Sequence, residues 1–559
     1  MKMRNQPAIN YFICLSLLLV LTSCGVKKSL EDRPDISQYN ADIPEREMIN
    51  DSTYVAGNNF LTKNKHGQWE LYVEGDPLEI GLLTGSLTQE LLQKQERVFL
   101  NKVEELVPSK GKQKFLRKFL SWYNRKLYKH VTEEYKTEIY GVSRYASNEF
   151  NNIAPPYLRA LYLHGAHDIG HALKDLMLVG CSSFAVWGEK SEDGNLLIAR
   201  NFDFYAGDAF AEDKIIAFVK PDQGYSFMSV TWGGMMGVVS GMNNQGLTVT
   251  INAGKSDIPL VAKTPISLVT REILQYASTI DEAIEIAKKR EVFVSEAIFV
   301  GSANDKKAAI IEVSPNDLGI YQVENSSELI CSNHFQSETF ANDRKNIKWI
   351  KESDSKYRFD RMEELLNEEP KINPTEAVAI LRNKKGLNDT PLGYGNEKAL
   401  NQLLAHHGII FQPEDLTVWV SSNPYQLGEF VAYDLNTIFN ENRRFSGQPI
   451  SEEKLTIPED PFVHSQAFKD YETYRILERK AENVLETDAE MTSTELTALE
   501  TKNPDYWKAH FLAGKYFYEH KEYKKALKAF TLAMSKEITT VPDKEKVEKY
   551  LKKTKRKLR

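Results

Sequence analysis

The stretch that decides the fold is Gly180-Cys181-Ser182-Ser183-Phe184-Ala185-Val186-Trp187-Gly188-Glu189-Lys190-Ser191-Glu192-Asp193-Gly194-Asn195-Leu196-Leu197-Ile198-Ala199-Arg200-Asn201-Phe202-Asp203-Phe204. Period-2 alternation puts Cys181, Ser183, Ala185 and Trp187 on one side of a strand, with Ser182, Phe184 and Val186 on the other. Glu192-Asp193-Gly194-Asn195 has turn chemistry, and Gly194 is free to take a positive φ. Residues 196–204 read as the returning strand. Such a hairpin brings Arg200 and Asp203 beside Cys181.

A thiol inside a chain is mostly protonated at neutral pH, and Cys181 has no histidine next to it. Taken alone it reads as a buried structural cysteine. Gly180, however, leaves the carbonyl ahead of the thiol unshielded. Attack there is an N-to-S acyl shift, after which water cuts the chain and Cys181 carries a free α-amine. With a pKa of roughly 7.7–8 that amine is partly neutral at physiological pH, so one residue supplies nucleophile and base.

Outward from the hairpin, 559 residues leave room for a large core and more than one domain. A hydrophobic content of 42% and a charged content of 27% are those of a globular protein, and a net charge of -7 gives no nucleic-acid footprint. Lys2 and Arg4 precede an apolar run at 11–21, followed by Leu21-Thr22-Ser23-Cys24. The run is short for a membrane span and reads as a signal peptide, residues 1–23. Its end resembles a bacterial lipobox, which implies a lipid on Cys24, attachment to a membrane of the bacterial cell envelope, and a polar tether over 24–50. Cys14 leaves with the signal and Cys24 carries lipid. Only Cys181 and Cys331 remain, too few for a disulfide framework.

Residues 54–61 and 69–73 read as strands. Gly75-Asp76-Pro77-Leu78-Glu79-Ile80-Gly81 opens a helix with Asp76 as cap and Pro77 in its first turn. Helical patterns follow at 87–107, 114–135 and, after Pro155-Pro156, 157–178. The last puts His164, His167, Asp168 and His171 on one face. A metal site and a polar face packed near the scissile bond both fit, and the weaker evidence is for metal; no metal or cofactor is expected. Strand patterns run from 214 to 252, helices at 266–277 and 280–289, strands from 297 to 335, helices at 354–367 and 374–382, and strands from 408 to 435. That order suggests α+β architecture, two sheets between helix layers. Pro449, Pro458 and Pro461 mark a linker at 446–462.

Residues 463–559 are helical and charged. Within them 507–534 resembles one tetratricopeptide repeat, with Gly514, Phe517, Ala526, Phe530 and Ala533 at its small and aromatic positions, and 468–485 a degenerate neighbour. Docking on the body is the preferred reading over a groove for a protein partner.

Gly180-Cys181-Ser182-Ser183-Phe184-Ala185-Val186, followed by Ala199-Arg200-Asn201-Phe202-Asp203, resembles the cysteine branch of the N-terminal-nucleophile hydrolases. Most alike are the isopenicillin N acyltransferase-like proteins, with bile-salt and penicillin V hydrolases and acid ceramidase more distant. The Gly75, Pro77, Glu79, Gly81, Gly85 spacing resembles the start of the acyltransferase-like proteins. Gly241-Met242-Asn243-Asn244-Gln245-Gly246-Leu247, leading to Asn252, resembles a bile-salt hydrolase stretch. The resemblance implies an αββα sandwich over 51–445, split at Gly180-Cys181 into 51–180 and 181–445. It implies a small-molecule N-acyl or acyl-thioester substrate, attacked by Cys181. Asp203 would orient the α-ammonium, Arg200 lower the thiol pKa, Asn252 and Asn333 donate to an oxyanion, and Arg358 be the late arginine, with Arg361 as its alternative.

Two rivals remain. Cys331 with His334 is a second nucleophile–base pair; Cys331 and Asn333, two apart, share a strand face, so Cys331 also lines the pocket, and a disulfide to Cys181 is open to it only if the two Cα atoms come within about 7 Å. The other is an inactive fold kept as a lipid-tethered binding module.

Overall fold

The computed structural model describes residues 25–165, 168, 178–255, 261–404, 406–440, 449–487 and 489–559. Cys24, His167 and His171 lie outside them. The first part runs β1 (Glu47–Asn50), β2 (Thr53–Ala56), β3 (Asn59–Lys63), β4 (Trp69–Gly75), α1 (Pro77–Leu87), α2 (Gln89–Leu106), α3 (Lys110–Tyr123), α4 (Glu133–Ser143) and α5 (Pro156–His164). The hairpin strands are β5 (Leu178–Val186) and β6 (Leu197–Tyr205). Next come β7 (Ile215–Pro221), β8 (Phe227–Thr231), β9 (Ser240–Asn243), β10 (Leu247–Ala253), α6 (Ile266–Tyr276), α7 (Ile280–Lys289), β11 (Glu296–Ser302), β12 (Lys307–Val313), β13 (Leu318–Tyr321) and β14 (Glu328–Cys331). Helices α8 (Arg344–Glu352), α9 (Ser355–Glu368) and α10 (Pro374–Leu381) precede β15 (His407–Gln412), β16 (Thr417–Ser421), β17 (Phe430–Asp434) and α11 (Leu435–Ile438). The C-terminal region is helical: α12 (Gln466–Val484), α13 (Ser493–Thr501), α14 (Trp507–Glu519), α15 (Tyr523–Met534) and α16 (Val541–Lys557).

The strands form two sheets. One has eleven strands in the order β1-β2-β3-β4-β7-β8-β9-β10-β11-β12-β13; the other has six, β14-β5-β6-β15-β16-β17. Apolar side chains of both inner faces, among them Phe218, Phe299, Ile198, Phe411 and Val431, make the core between the sheets. Ile80, Ile139, Leu268 and Ile284 from α1, α4, α6 and α7 cover the outer face of the large sheet. Met362, Leu366, Val378 and Leu381 from α9 and α10 cover Phe184, Leu197 and Ile410 of the small one. The architecture is therefore an α+β sandwich, helices on either side of two sheets, followed by an all-helical region. Burying each such side chain is worth about 1.5–3 kcal/mol, which is why alternating strands and one-sided helices settle into these layers.

Sequence and structure differ in places. Residues 47–50, read as the end of a polar tether, form β1 on β2. Ahead of them Ser29 Oγ lies 3.1 Å from Tyr162 Oη and Asp32 bridges Lys136 at 3.5 Å, so this segment lies against the body. The strand read at 54–61 is a hairpin turning at Gly57 and Asn58. The helix read at 114–135 is two, and Thr132 caps the second. Asp76 caps α1 in a capping box with Glu79. Gly81 lets α4 close on α1: a Cβ there would stand 2.3 Å from Glu138 O.

Candidate active site

The β5–β6 ladder sets the geometry. Its register pairs Gly180 with Asp203, Cys181 with Phe202 and Ser183 with Arg200. Directly opposed side chains share a face. Cys181, Arg200 and Phe202 therefore turn inward to the space between the sheets. Gly180, Ser182, Asn201 and Asp203 turn outward to the α9–α10 layer.

On the inner face Arg200 Nη2 donates to Cys181 Sγ at 3.6 Å. The guanidinium is fixed by Val239 O at 2.9 Å, by Ile251 O and Ser240 Oγ, and by the Phe202 ring 4.3 Å beneath it. Ser240 Oγ is in turn 2.9 Å from His407 Nε2. Burial pushes the Cys181 thiol up, and the Arg200 charge opposes that shift. The uncut chain thus keeps the sulfur protonated but beside a cation.

Around the Cys181 backbone the ladder is interrupted. Strand β14 ends at Cys331, opposite Ser183. Asn333 then takes the position of a ladder partner, and the Cys181 N–H donates to Asn333 Oδ1 at 2.8 Å. Arg358 Nη2 donates to the same oxygen at 2.8 Å, while its Nη1 donates to Cys181 O at 2.5 Å and Ser182 Oγ at 3.1 Å. Asp354 holds the Arg358 Nε at 3.0 Å. Arg361 instead bonds Glu364 and Asp389, so of the two arginines it is Arg358 that meets Cys181.

Asp203 is fully buried and burial pushes its carboxyl up to about 7, against the pull of Arg358. Its Oδ1 accepts from Gln426 Nε2 at 3.1 Å, and its Oδ2 has no hydrogen-bond partner. Asn252 links the sheets: its Oδ1 accepts from Ser183 Oγ at 2.9 Å, and its Nδ2 donates to Cys331 O and Ser332 O at 3.3 and 3.4 Å. Asn333 Nδ2 donates to Ala253 O at 3.0 Å. In the continuous chain both amide NH2 groups are spent on main-chain carbonyls, and Asn333 meets Cys181 as an acceptor.

His164 has both ring nitrogens engaged, Nδ1 with Ala160 O at 2.7 Å and Nε2 with Met236 N at 2.9 Å. Burial lowers its pKa to about 4. Asp168 Oδ2 accepts from Ile266 N at 2.9 Å at the start of α6. Both are thus engaged within the protein, and among the described residues no group of three or more His, Cys, Asp or Glu is placed to hold a metal; the rest of the proposed face, His167 and His171, lies outside them. The rival pair is not assembled: Cys331 Sγ donates to Ser332 O, and His334 Nδ1 is engaged with Ser355 Oγ at 2.8 Å. Cys331 shares the inner face with Cys181, diagonally across the β5–β14 ladder, and both are buried free thiols.

Two residues at the site carry no motif. A Cβ on Gly180 would meet Gln402 Nε2 at 2.5 Å, so the Gln402 amide, which donates to Glu397 O at 3.3 Å, packs closely over the glycine. Gln426 is the donor to Asp203. Both come from loops flanking β15 and β16, where no local pattern announces a side chain's target.

Beyond Phe202 the inner face is aromatic. Phe202 stacks on Phe204 at 5.5 Å, and Phe204 on Trp232 at 6.4 Å. These lead to a small, largely apolar pocket with about 50 Å³ of free space, walled by Phe204, Phe210 and Trp232 after Cys181 and by Leu92, Phe99 and Leu163 before it.

Residues 189–423 match the family model of acyl-coenzyme A:6-aminopenicillanic acid acyl-transferase. That stretch takes in Arg200, Asp203, Asn252, Asn333 and Arg358, with Gly180 and Cys181 just ahead of it. An Archaeoglobus fulgidus protein described as uncharacterized is 25% identical over 277 residues, 46% of this chain and 45% of that one, so the chain spans less than half of that relative's length. Solved structures with some likeness include a Caenorhabditis elegans N-acylethanolamine-hydrolyzing acid amidase ortholog, 17% identical over 42% of this chain and 93% of that one, TM-score 0.32. Another is a mutant conjugated bile acid hydrolase from Clostridium perfringens, 15% identical over 47% of this chain and 95% of that one, TM-score 0.32. The chain resembles the cysteine branch of the N-terminal-nucleophile hydrolases, and over residues 189–423 it is similar to the acyl-coenzyme A:6-aminopenicillanic acid acyl-transferase family.

Proposed function

We propose that the chain cuts itself before Cys181 and then acts as an acyl hydrolase or acyltransferase through an acyl-Cys181 thioester. The observation that carries this reading is the surrounding of the Cys181 nitrogen. A mid-strand N–H donates to a side-chain oxygen, Asn333 Oδ1, and a buried carboxylate oxygen of Asp203 stands unpartnered across from Gly180. An amide nitrogen has little use for a nearby carboxylate; an α-ammonium does.

In the cut, Sγ loses its proton and bonds the Gly180 carbonyl carbon. The C–N bond breaks, the nitrogen takes a proton, and a thioester remains. Water hydrolyses it to the Gly180 carboxylate and the free thiol. In turnover the α-amine accepts the thiol proton, Sγ attacks the substrate carbonyl, and the leaving group departs with a proton. Water or an amine then takes the acyl group. Arg200 steadies the thiolate and Arg358 orients the Cys181 backbone. The aromatic track and the pocket beyond it favour an apolar acyl group, with walls from both sides of the cut.

The leader sequence supports a lipid on Cys24 and a place in the bacterial cell envelope. Intact-mass analysis of the purified protein tests the main reading. Two chains are expected, the second starting at Cys181, and a single chain in Cys181→Ala. A whole wild-type chain with full activity on an N-acyl or thioester probe would overturn it.

A further inference from the structure

We propose that helix α12 of the C-terminal region is a working part of this site, holding Gln402 and Gln426 as positioning residues against Gly180 and Asp203. The proposal rests on the self-cleavage reading above.

Neither glutamine belongs to an element of the sandwich. Each sits one residue from an anchor on α12. Tyr471 Oη donates to Leu403 O at 3.0 Å, and Leu403, at φ 53°, is buried in the core of the helical region. On the second loop, Arg475 Nη1 donates to Tyr425 Oη at 2.5 Å, and Tyr425 Oη donates to Glu472 Oε1 at 2.7 Å. Leu427 enters the same helical core. Consecutive Cα atoms are about 3.8 Å apart, so anchoring residues 403, 425 and 427 fixes where 402 and 426 place their amides. Both glutamines are buried beside the proposed cut: the Gln402 amide, which donates to Glu397 O at 3.3 Å, occupies the space a Cβ on Gly180 would need, and Gln426 donates to Oδ1 of Asp203, the ladder partner of Gly180, at 3.1 Å.

A third contact follows the same face of the helix. Arg475 and Arg479 pair with Asp208, two residues before Phe210 of the apolar pocket. Tyr471, Arg475 and Arg479 are spaced four apart, one stripe along α12. That stripe is turned toward the catalytic body. The helical region is in this sense a clamp, which explains a repeat-like segment with too few repeats to stand alone.

The test uses the full chain carrying Tyr471→Phe with Arg475→Ala; Arg475→Ala alone serves if the pair fails to fold, as judged by a thermal melt. Hydrogen exchange read by mass spectrometry is expected to show lost protection at 399–404 and 424–428, with cleavage before Cys181 slowed about tenfold. Arg475→Lys should restore the rate. Gln426→Leu should move the acid limb of the turnover–pH profile upward, because Asp203, which must be ionised to hold the α-ammonium, loses a donor that, with Arg358 and Arg200 and against Asp354, favours its ionised form. Unchanged exchange in both loops overturns the clamp even if the wild-type chain never cuts. A cutting wild type with an unchanged limb in Gln426→Leu overturns the role of Gln426. A wild type that stays whole while the loops lose protection sinks only the self-cleavage reading.

Discussion

Asn333 Oδ1 lies 2.8 Å from the backbone nitrogen of Cys181, and the contact has the amide of one residue accepting from the main chain of the other. The family likeness leads one to expect Asn333 as an oxyanion donor. The geometry of the continuous chain suits it to a second task under the proposed cut, holding the nitrogen that the cut would turn into the α-amine. The two tasks separate by substitution. Asn333→Asp keeps the acceptor and loses the donor; Asn333→Ala loses both. For self-cleavage, Asn333→Ala is expected to cost about 10–100-fold, the order of one hydrogen bond to a charged group, and Asn333→Asp far less. For turnover both should be slow. Equal loss of cleavage in the two variants would remove the acceptor role.

Asp203 gives the uncut chain a pH signature. Its carboxyl is raised from an ordinary 3.8 to about 7 by burial, so the folded chain binds a proton that the unfolded chain releases near pH 4. The stability tied to that proton is fully present below pH 4 and is lost as pH rises through about 7. Other buried carboxylates, Glu138 and Asp168 among them, are raised too, so the comparison must isolate this one. Melting of Cys181→Ala is expected to fall more between pH 5 and pH 8 than melting of Cys181→Ala with Asp203→Asn. Identical falls would mean that Asp203 is ionised, and partnered, before any cut.

The hairpin was legible because a period-2 strand, a turn with Gly194 and a second strand leave few ways to fold, and a hairpin fixes which residues face each other. Asn252, Asn333 and Arg358 follow from motif likeness; Asn333 and Arg358 meet Cys181, and Asn252 meets Ser183 two residues on. What stayed hidden lacked a local pattern. Strand β1 is exposed at all four residues, so it has no buried alternation to read. The break between α3 and α4 falls inside a continuous apolar rhythm, and only the Thr132 cap marks it. Gln402 and Gln426 owe their positions to contacts with a helix some 45 to 70 residues further on, about as far from a local signal as a side chain can be.

The fit of Gln402 on Gly180 makes a steric prediction. A Cβ at 180 would come within 2.5 Å of the Gln402 amide nitrogen, which is buried and donates to Glu397 O at 3.3 Å, so the amide must shift to admit a methyl. Gly180→Ala should slow self-cleavage by displacing the scissile carbonyl from Sγ. If the clash is the cause, adding Gln402→Ala returns part of the rate, a coupling between neighbours that a double-mutant cycle measures. A double variant slower than Gly180→Ala would show that glycine is needed at 180 for its backbone freedom alone.

The pocket beyond Phe204 predicts how acyl length is read. Ala160 and Leu163 on α5 line its wall from the segment before the cut. Ala160→Leu adds bulk there without touching Cys181, Arg200, Asp203 or the asparagines. Chains that end at Phe202 and Phe204 should turn over as before, and longer chains should lose about tenfold or more in kcat/KM, since each excluded CH2 forfeits about 0.8 kcal/mol of burial. The loss should sit in KM for chains that still reach the sulfur, because the wall binds ground state and transition state alike. Competition between a short and a long N-acyl probe, assayed on wild type and on Ala160→Leu, gives the ratio directly. A ratio that does not move would put the acyl group elsewhere and leave this cavity as a packing gap between the two segments.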